Sequence, residues 1–448
     1  MKATTIGSGM VIPLLCVLIA FEPIVPVAAQ DGFRIPDDRP LLPITVKQLN
    51  EGGIGVFESK RLRLFTDLEA EVAKSLPPLI DQAYDSWEEF FGKLPPARDE
   101  SEFQINGYLM KDKDKFEKAG LLRGELPDQF HGRQVGYQFW MIDQPQDYYR
   151  RHLLLHEATH AFMLAIARLD VPVAYLEGMA EHFGTHQVIS GKLQVRLVPT
   201  NRSDFRGHDR LFLIRRDVKQ RGIPGLLDIN EWKDMNFRFF NESYAWAWGM
   251  SVFFDQNPRT HERFRKLAKS LTNPLAWKTF ENDLLTDLPE IVTEWNLFAA
   301  DAWEGFDFLR HAIEFHEGEA LTKPRRVEIH ADRGWQSSRV FVEKGHRYEL
   351  LATGQFTLAE KPKPWVSEAD GVTIRYHNGR LLGQLLATIR PEKPTDKEPE
   401  PMRDVKPLGN SSSFEASRTG TLYLRLNDHP AELVDNRGSV SVEIRDAR

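Results

Sequence analysis

The chain has 448 residues, room for two or three domains, each with its own core. An apolar fraction of 41% and a charged fraction of 27% are ordinary for a soluble globular protein. The net charge of −7 comes without a strongly basic block, which argues against nucleic acid as a partner.

The first thirty residues, MKATTIGSGMVIPLLCVLIAFEPIVPVAAQ, have the layout of a secretory signal. Lys2 supplies the positive start, residues 10–20 the apolar run, and VAAQ a small-residue cleavage site after Ala29. Pro13, Glu22, Pro23 and Pro26 interrupt the run, so no stable membrane span is expected once the signal is removed. Lys2 and Glu22 leave together, and the mature charge stays at −7. The sole cysteine, Cys16, lies in the signal behind Leu15, where a lipobox wants a small residue. The mature chain therefore has no disulfide and no thiolate metal site. The expected location is secreted, or periplasmic and cell-envelope.

Residues 30–54 are rich in Pro, Gly and Asp and read as an irregular extension. RLRLFTD (61–67) alternates as a strand does. A helix follows whose later half places Ile80, Ala83, Tyr84, Trp87, Phe90 and Phe91 on one face. FQINGYLM (103–110) and VGYQFWMI (135–142) read as further strands. From about 143 to 319 the pattern is mainly helical, with Asp143 and Pro145 as start signals for the helix beginning near them. After 321 short alternating strands take over, such as RVFVEKG, YELLATG, TLYLRLND and SVSVEIR, separated by Gly, Asn and Pro turns. PEKPTDKEPEPMRDVKP (391–407) is a charged, proline-rich loop within this part. The expected fold class is α+β multidomain. A signal (1–29) and extension (30–54) precede a domain over 55–319, a small sheet plus helices with a mainly helical second half. An all-β sandwich then covers 320–448.

Within the helical part lies HLLLHEATHAFM (152–163). His156 and His160 are four apart, which on a helix sets both imidazoles on one face, where one metal ion can take both. Glu157 follows the first histidine, beside such an ion and free to act as a base. The flanking Leu153, Leu154, Leu155, Ala161, Phe162 and Leu164 would bury that helix, and buried histidines and a buried glutamate need partners. No Gly and His follow at metzincin spacing. Instead YLEGMAEHF (175–183) stands downstream.

In these two segments the chain resembles the gluzincin peptidases, most closely the peptidase-MA-like secreted proteins. The resemblance covers about residues 58–303 and is carried by short motifs. It implies a zinc metallopeptidase with His156, His160 and Glu177 as zinc ligands, Glu157 as general base, and Glu181 orienting a zinc-bound histidine from behind. NESYAWAWGMSVFF (241–254) matches a helix carrying a tyrosine, so the resemblance makes Tyr244 the stabiliser of the oxyanion. It also offers 135–142 as the edge strand that pairs with a peptide substrate. Tyr175 departs from the usual Trp, and the 16 residues between His160 and Glu177 are fewer than in gluzincin aminopeptidases, so exopeptidase specificity is not carried over. His182 and His186 are also four apart, but no acid is placed as Glu157 is, and surface or core roles are expected of them.

LNDHPAELVDNRGSVSVEI (426–444) is similar to the calcium-binding end of the PA-IL-like lectins, with Asn427, Asp428, Pro430, Asn436, Gly438 and Ser439 in register and Asp435 in place of an Asn. The resemblance implies calcium held by Asp428, Asp435 and Asn436, a backbone carbonyl at Glu432, and a glycan as partner. LATGQFTL (351–358) resembles the strand supplying another carbonyl, while the sugar-contacting loop has no counterpart around 365–380. The bland reading of the loop is an Asp/Asn-rich turn.

The expected function is peptide-bond hydrolysis with zinc as cofactor, calcium as a second ion, and a peptide or protein as substrate. The alternative is a non-catalytic carbohydrate- or protein-binding secreted protein that works through its C-terminal domain. Hydrolysis of a non-peptide amide is compatible with the same motif.

Overall fold

The computed structural model of the protein describes residues 33–34, 44–122, 126, 131–166, 171–233, 236–237, 241–392 and 400–447. The expected signal and residues 30–32 and 35–43 of the extension lie outside the described residues. No helix among the described residues is long and apolar enough to cross a membrane.

The stretch expected to be irregular over 30–54 ends in structure instead. Thr45 and Gln48 cap a short helix, α1 (Val46–Glu51): the Thr45 hydroxyl accepts from the Gln48 N–H and the Gln48 side chain accepts from the Thr45 N–H. Leu49 of α1, and Ile54 beyond it, are buried with Phe65, Tyr108 and Trp140. The Pro- and Gly-rich composition hid a cap that needs only two side chains.

The first sheet holds β1 (Gly55–Glu58), β2 (Leu62–Thr66), β3 (Ile105–Met110), β4 (Gly132–Val135) and β5 (Gln138–Ile142), in the order β1-β2-β3-β5-β4. The central strands β2, β3 and β5 run parallel, and β1 and β4 are antiparallel flanks. All of β3 is buried, as a central parallel strand requires. The run 135–142, expected as one edge strand, is divided by a turn at Gly136, whose φ is +58°. Its larger part, β5, is enclosed by β3 and β4. The edge position belongs to β4. Glycine at a positive φ ends a strand that apolar content alone would have continued.

Helices α2 (Ala70–Ser75), α3 (Pro77–Phe91) and α4 (Lys113–Lys118) accompany this sheet. The expected face of α3 is buried: Trp87, Phe90 and Phe91 meet Phe162 and Phe183 in one aromatic cluster. Helices α5 (Asp147–Ile166), α6 (Val173–Gly184), α7 (Arg210–Arg221), α8 (Asn241–Gln256), α9 (His261–Ala268), α10 (Ala276–Leu284), α11 (Leu288–Ala300) and α12 (Phe308–His311) follow. One small hairpin, β6 (Gln187–Ile189) with β7 (Lys192–Gln194), interrupts them. Helix α5 is buried on nearly every side, so it runs through the core rather than over it.

Beyond α12 the chain builds a sandwich. One sheet is β8 (Glu319–Ala320), β10 (Gln336–Val342), β19 (Gly420–Leu426), β16 (Leu385–Arg390) and β17 (Lys406–Pro407). The other joins β9 (Arg325–His330), β11 (Arg347–Thr353), β12 (Phe356–Thr357), β13 (Val366–Ser367), β18 (Ser411–Glu415) and β20 (Arg437–Asp446). A separate hairpin pairs β14 (Val372–His377) with β15 (Arg380–Leu382). Alternation sets the inner faces: Tyr348, Leu350 and Ala352 of β11 and Val440, Val442 and Ile444 of β20 meet Leu422, Leu424 and Leu426 of β19.

The sandwich is bonded to the helices. The Ile313 N–H donates to Glu294 at 2.8 Å, Arg390 pairs with Glu290 at 3.0 Å, and the His429 ring lies 5.2 Å from Trp303.

Candidate metal centre

Two helices bring the ligand-type side chains together. On α5, one turn separates His156 from His160, and their Nε2 atoms stand 3.1 Å apart. From α6, Glu177 Oε2 lies 3.4 Å from His156 Nε2 and 3.3 Å from His160 Nε2. Ligands about 2.0–2.1 Å from one ion at tetrahedral angles are about 3.3–3.4 Å from one another. The observed spacing is therefore that of three corners of a tetrahedron. Glu177 Oε2 is buried and has no hydrogen-bond partner, an orphan that an ion would satisfy. The donor set fits a metal.

Glycine makes the approach of α6 work. A Cβ on Gly178 would lie 2.3 Å from the Ala247 carbonyl oxygen and 2.4 Å from Ser251 Oγ on α8. The residue after Glu177 must be bare for α6 and α8 to cross this closely, and that crossing fixes Glu177 relative to Tyr244.

Glu157 is buried, and burial pushes its carboxyl up against the pull of His156 and His160. Burial works against a charged His156 ring as well, but Glu177 and then Glu181 outweigh it and carry the ring to about 10. Burial likewise opposes the Glu177 charge, yet the two histidines hold that carboxyl well below the usual range. A cluster that stabilises this much opposite charge is suited to a cation.

Behind His156 stands Glu181, whose Oε1 is 3.3 Å from His156 Nδ1. Arg210, at the start of α7, donates to both oxygens of Glu181, from Nε at 2.7 Å and Nη2 at 2.8 Å. His152 Nε2 is 3.3 Å from Glu181 as well. His152, Glu181 and His208 form a second group of ligand types within 4.8 Å of one another. Its carboxylate is already taken by a guanidinium, which would also repel an ion. This group suits support of His156 better than a second metal.

The Tyr244 ring lies 6.3 Å from the His156 ring, between Phe237 at 5.3 Å and the Arg210 guanidinium at 5.7 Å. Burial, then Glu177 and Glu157, keep its hydroxyl protonated well beyond the usual range. His182 and His186 are elsewhere. His182 pairs with the buried Asp255 at 2.9 Å, and His186 stacks on Tyr148 and bonds the Gly184 carbonyl at 2.8 Å. Neither joins a group of potential metal ligands among the described residues.

Sequence reading missed Arg210, His152 and His208. His152 opens the quoted motif segment one turn before His156, a detectable signal. Arg210 and His208 sit in a polar stretch with no motif, and only the fold brings them to Glu181.

In the sandwich, Asn436 Nδ2 donates to Asp428 Oδ2 at 2.8 Å and to the Ala331 carbonyl at 3.0 Å. The oxygens Asp435 Oδ1 and Asn436 Oδ1 are buried without partners, and burial pushes the Asp428 carboxyl up to about 6. The unpartnered Asn436 oxygen, on a side chain bonded to Asp428, suits a hard cation. The same loop is packed on the helical part, since Ala431 faces Gly305 so closely that a Cβ there would lie 2.9 Å away. Glu432 turns outward to Arg375 at 2.6 Å.

No family model matches the chain, and no curated protein matches it. Among solved structures, it is similar to one described as an EclA N-terminal domain, a PllA-like lectin. Identity is 20%, over 27% of this chain and 95% of that one, with a TM-score of 0.21.

Proposed function

We propose that this protein is a zinc-dependent peptidase of gluzincin type, exported to the cell envelope or beyond. The observation that carries the reading is the convergence of His156, His160 and Glu177 on one point, at separations of 3.1–3.4 Å, with the buried Glu157 next to the first ligand. Two imidazoles and one carboxylate suit zinc and leave a fourth position open. When bound, zinc supplies a Lewis acid that brings the pKa of a water close to neutrality.

The chain's own residues do the rest. Glu157 takes a proton on its carboxylate and returns it to the leaving amine, and its raised pKa suits that exchange. Tyr244, kept protonated, donates from its hydroxyl to the oxygen that gains charge as the carbonyl carbon becomes tetrahedral. Glu181 and Arg210 hold His156 in one orientation. Strand β4 offers its outer side to an extended substrate. Ile142 N–H bonds the His131 carbonyl, so the alternate residues Gly132 and Gln134 direct their backbone groups away from β5.

A second reading gives the sandwich a binding role with calcium at Asp428, Asp435 and Asn436. The orphaned oxygens of Asp435 and Asn436 favour an ion there. The packing of this loop on Trp303 and Gly305 favours a structural ion over a glycan anchor.

The deciding experiment is cleavage of a proteome-derived peptide library by the mature protein, with zinc content recorded and Glu157→Gln as control. Cleavage that disappears in the variant while zinc stays supports the peptidase. A zinc-loaded protein that cleaves nothing removes it in favour of a non-peptide substrate or a binding protein.

A further inference from the structure

Gly132 lies in β4 with a backbone that any residue could adopt, since it is absent from the glycines at positive φ. A glycine inside a strand is costly relative to alanine and marks a place where another group approaches closely. Here that group is Glu157. A Cβ on Gly132 would lie 2.2 Å from Glu157 Oε1, 2.9 Å from its Cδ and 3.1 Å from its Cγ. Three consecutive atoms of one side chain rest on the bare face of the strand. No hydrogen bond to the Glu157 carboxylate is found among the described residues, so contact rather than bonding limits where it stands. Strand β4 is itself fixed, paired with β5 through residues 132–135 and 138–141. Arg133, the next residue, adds a positive charge that acts on Glu157.

We infer that Gly132 is a positioning residue for Glu157: the missing side chain is the seat that holds the carboxylate over the metal ligands. The inference rests on the peptidase reading for its kinetic consequence and on geometry alone for its structural one. An alanine at 132 would have the better strand propensity and no backbone strain, yet its methyl would occupy the space of the carboxylate. Glu157 would have to turn away, and a base displaced by about 1 Å loses on the order of 100-fold in rate. Substrate binding along the outer backbone of β4 would change far less.

The test compares Gly132→Ala, Glu157→Gln and the unmodified full chain. Cleavage of fluorescein-labelled casein is measured, together with zinc content and melting temperature. Each protein is also loaded with Co²⁺ alone, and its visible spectrum reports the groups around the ion. The expected result for Gly132→Ala is a fall of about 100-fold in kcat with KM within about threefold, full metal content and an unlowered melting temperature. Its cobalt spectrum should move from that of the unmodified protein toward that of Glu157→Gln. A variant with unchanged kcat and an unchanged cobalt spectrum overturns the inference. So does one that loses metal or melts early, because Gly132 would then support the fold. If the unmodified protein binds metal but cleaves nothing, the peptidase reading fails separately, and the cobalt spectra still decide whether Gly132 sets the position of Glu157.

Discussion

Arg210 and Glu181 form a fully buried two-bond pair, at 2.7 and 2.8 Å, on the far side of His156 from Glu177. Burial opposes the Glu181 charge, but Arg210 and then His152 hold the carboxyl far below its usual range. The carboxylate behind His156 is thus kept ionised by a cation that belongs to a third helix. Removing that cation strands a buried charge. Arg210→Met is expected to cost about 3–5 kcal/mol of stability. In the population that remains folded, zinc affinity is expected to fall about 10- to 100-fold. Thermal melts and competition with a chelator check both, and unchanged affinity would sever Arg210 from the metal centre.

His156, His160 and Glu177 are the proposed zinc ligands. His160→Ala and Glu177→Ala should each lose most bound zinc, because two ligands hold an ion far more weakly than three. Metal content by mass spectrometry after gel filtration reads this directly. Either variant keeping one zinc per chain would break the assignment.

Gly178 tests the helix crossing. A methyl there meets the Ala247 carbonyl oxygen, which is backbone and cannot rotate away. Gly178→Ala is expected to destabilise by about 1–3 kcal/mol through overpacking and to weaken zinc binding as Glu177 shifts. A melt and a zinc titration suffice, and a silent substitution would show that α6 and α8 can part without consequence.

Asp255 anchors the other side of α6. It is fully buried and bonded by His182 at 2.9 Å, Arg196 at 3.1 Å and Arg265 at 2.6 Å. Burial opposes its charge, but these partners prevail and hold its carboxyl well below the ordinary value. A depressed carboxyl adds stability above its unfolded pKa of about 3.9 and loses it as pH falls further. Part of the acid destabilisation below about pH 4 should therefore vanish in Asp255→Asn, which starts several kcal/mol less stable at neutral pH. Equal acid slopes in denaturant titrations of the two proteins would refute the assignment.

Calcium has its own readout. The full chain should melt higher in Ca²⁺ than after chelation at pH 7, and Asp428→Asn should abolish the difference. At low calcium the buried Asp428, with its pKa raised to about 6, destabilises the fold as pH rises from about 4 to 6. A melting temperature indifferent to calcium would leave the loop as a turn between strands.

Much of the architecture was legible in the chain. The apolar face of α3 and the alternating strands after residue 320 follow from periodicity, because one face of each element must leave water. The long helix carrying His156 and His160 is buried on nearly every side and was legible from its start signals and apolar flanks instead. The candidate metal cluster of His156, His160 and Glu177 was legible in part: i,i+4 spacing on a helix places two imidazoles together whatever the fold. The misreadings came where a few atoms decide. A reciprocal cap at Thr45 and Gln48 made a helix inside a Pro- and Gly-rich stretch, and one glycine at positive φ split the run 135–142 into two strands.

What the sequence by itself determined is therefore local: which residues lie on one helix face, and which segments alternate. Only the tertiary structure decided that α6 crosses α8 closely enough for Glu177 to reach the two histidines. It alone brought Arg210 to Glu181 and laid the bare face of Gly132 on Glu157. These are contacts between segments far apart in the chain. Helical and strand periods carry no information about them, because they depend on how closely two packed elements can approach.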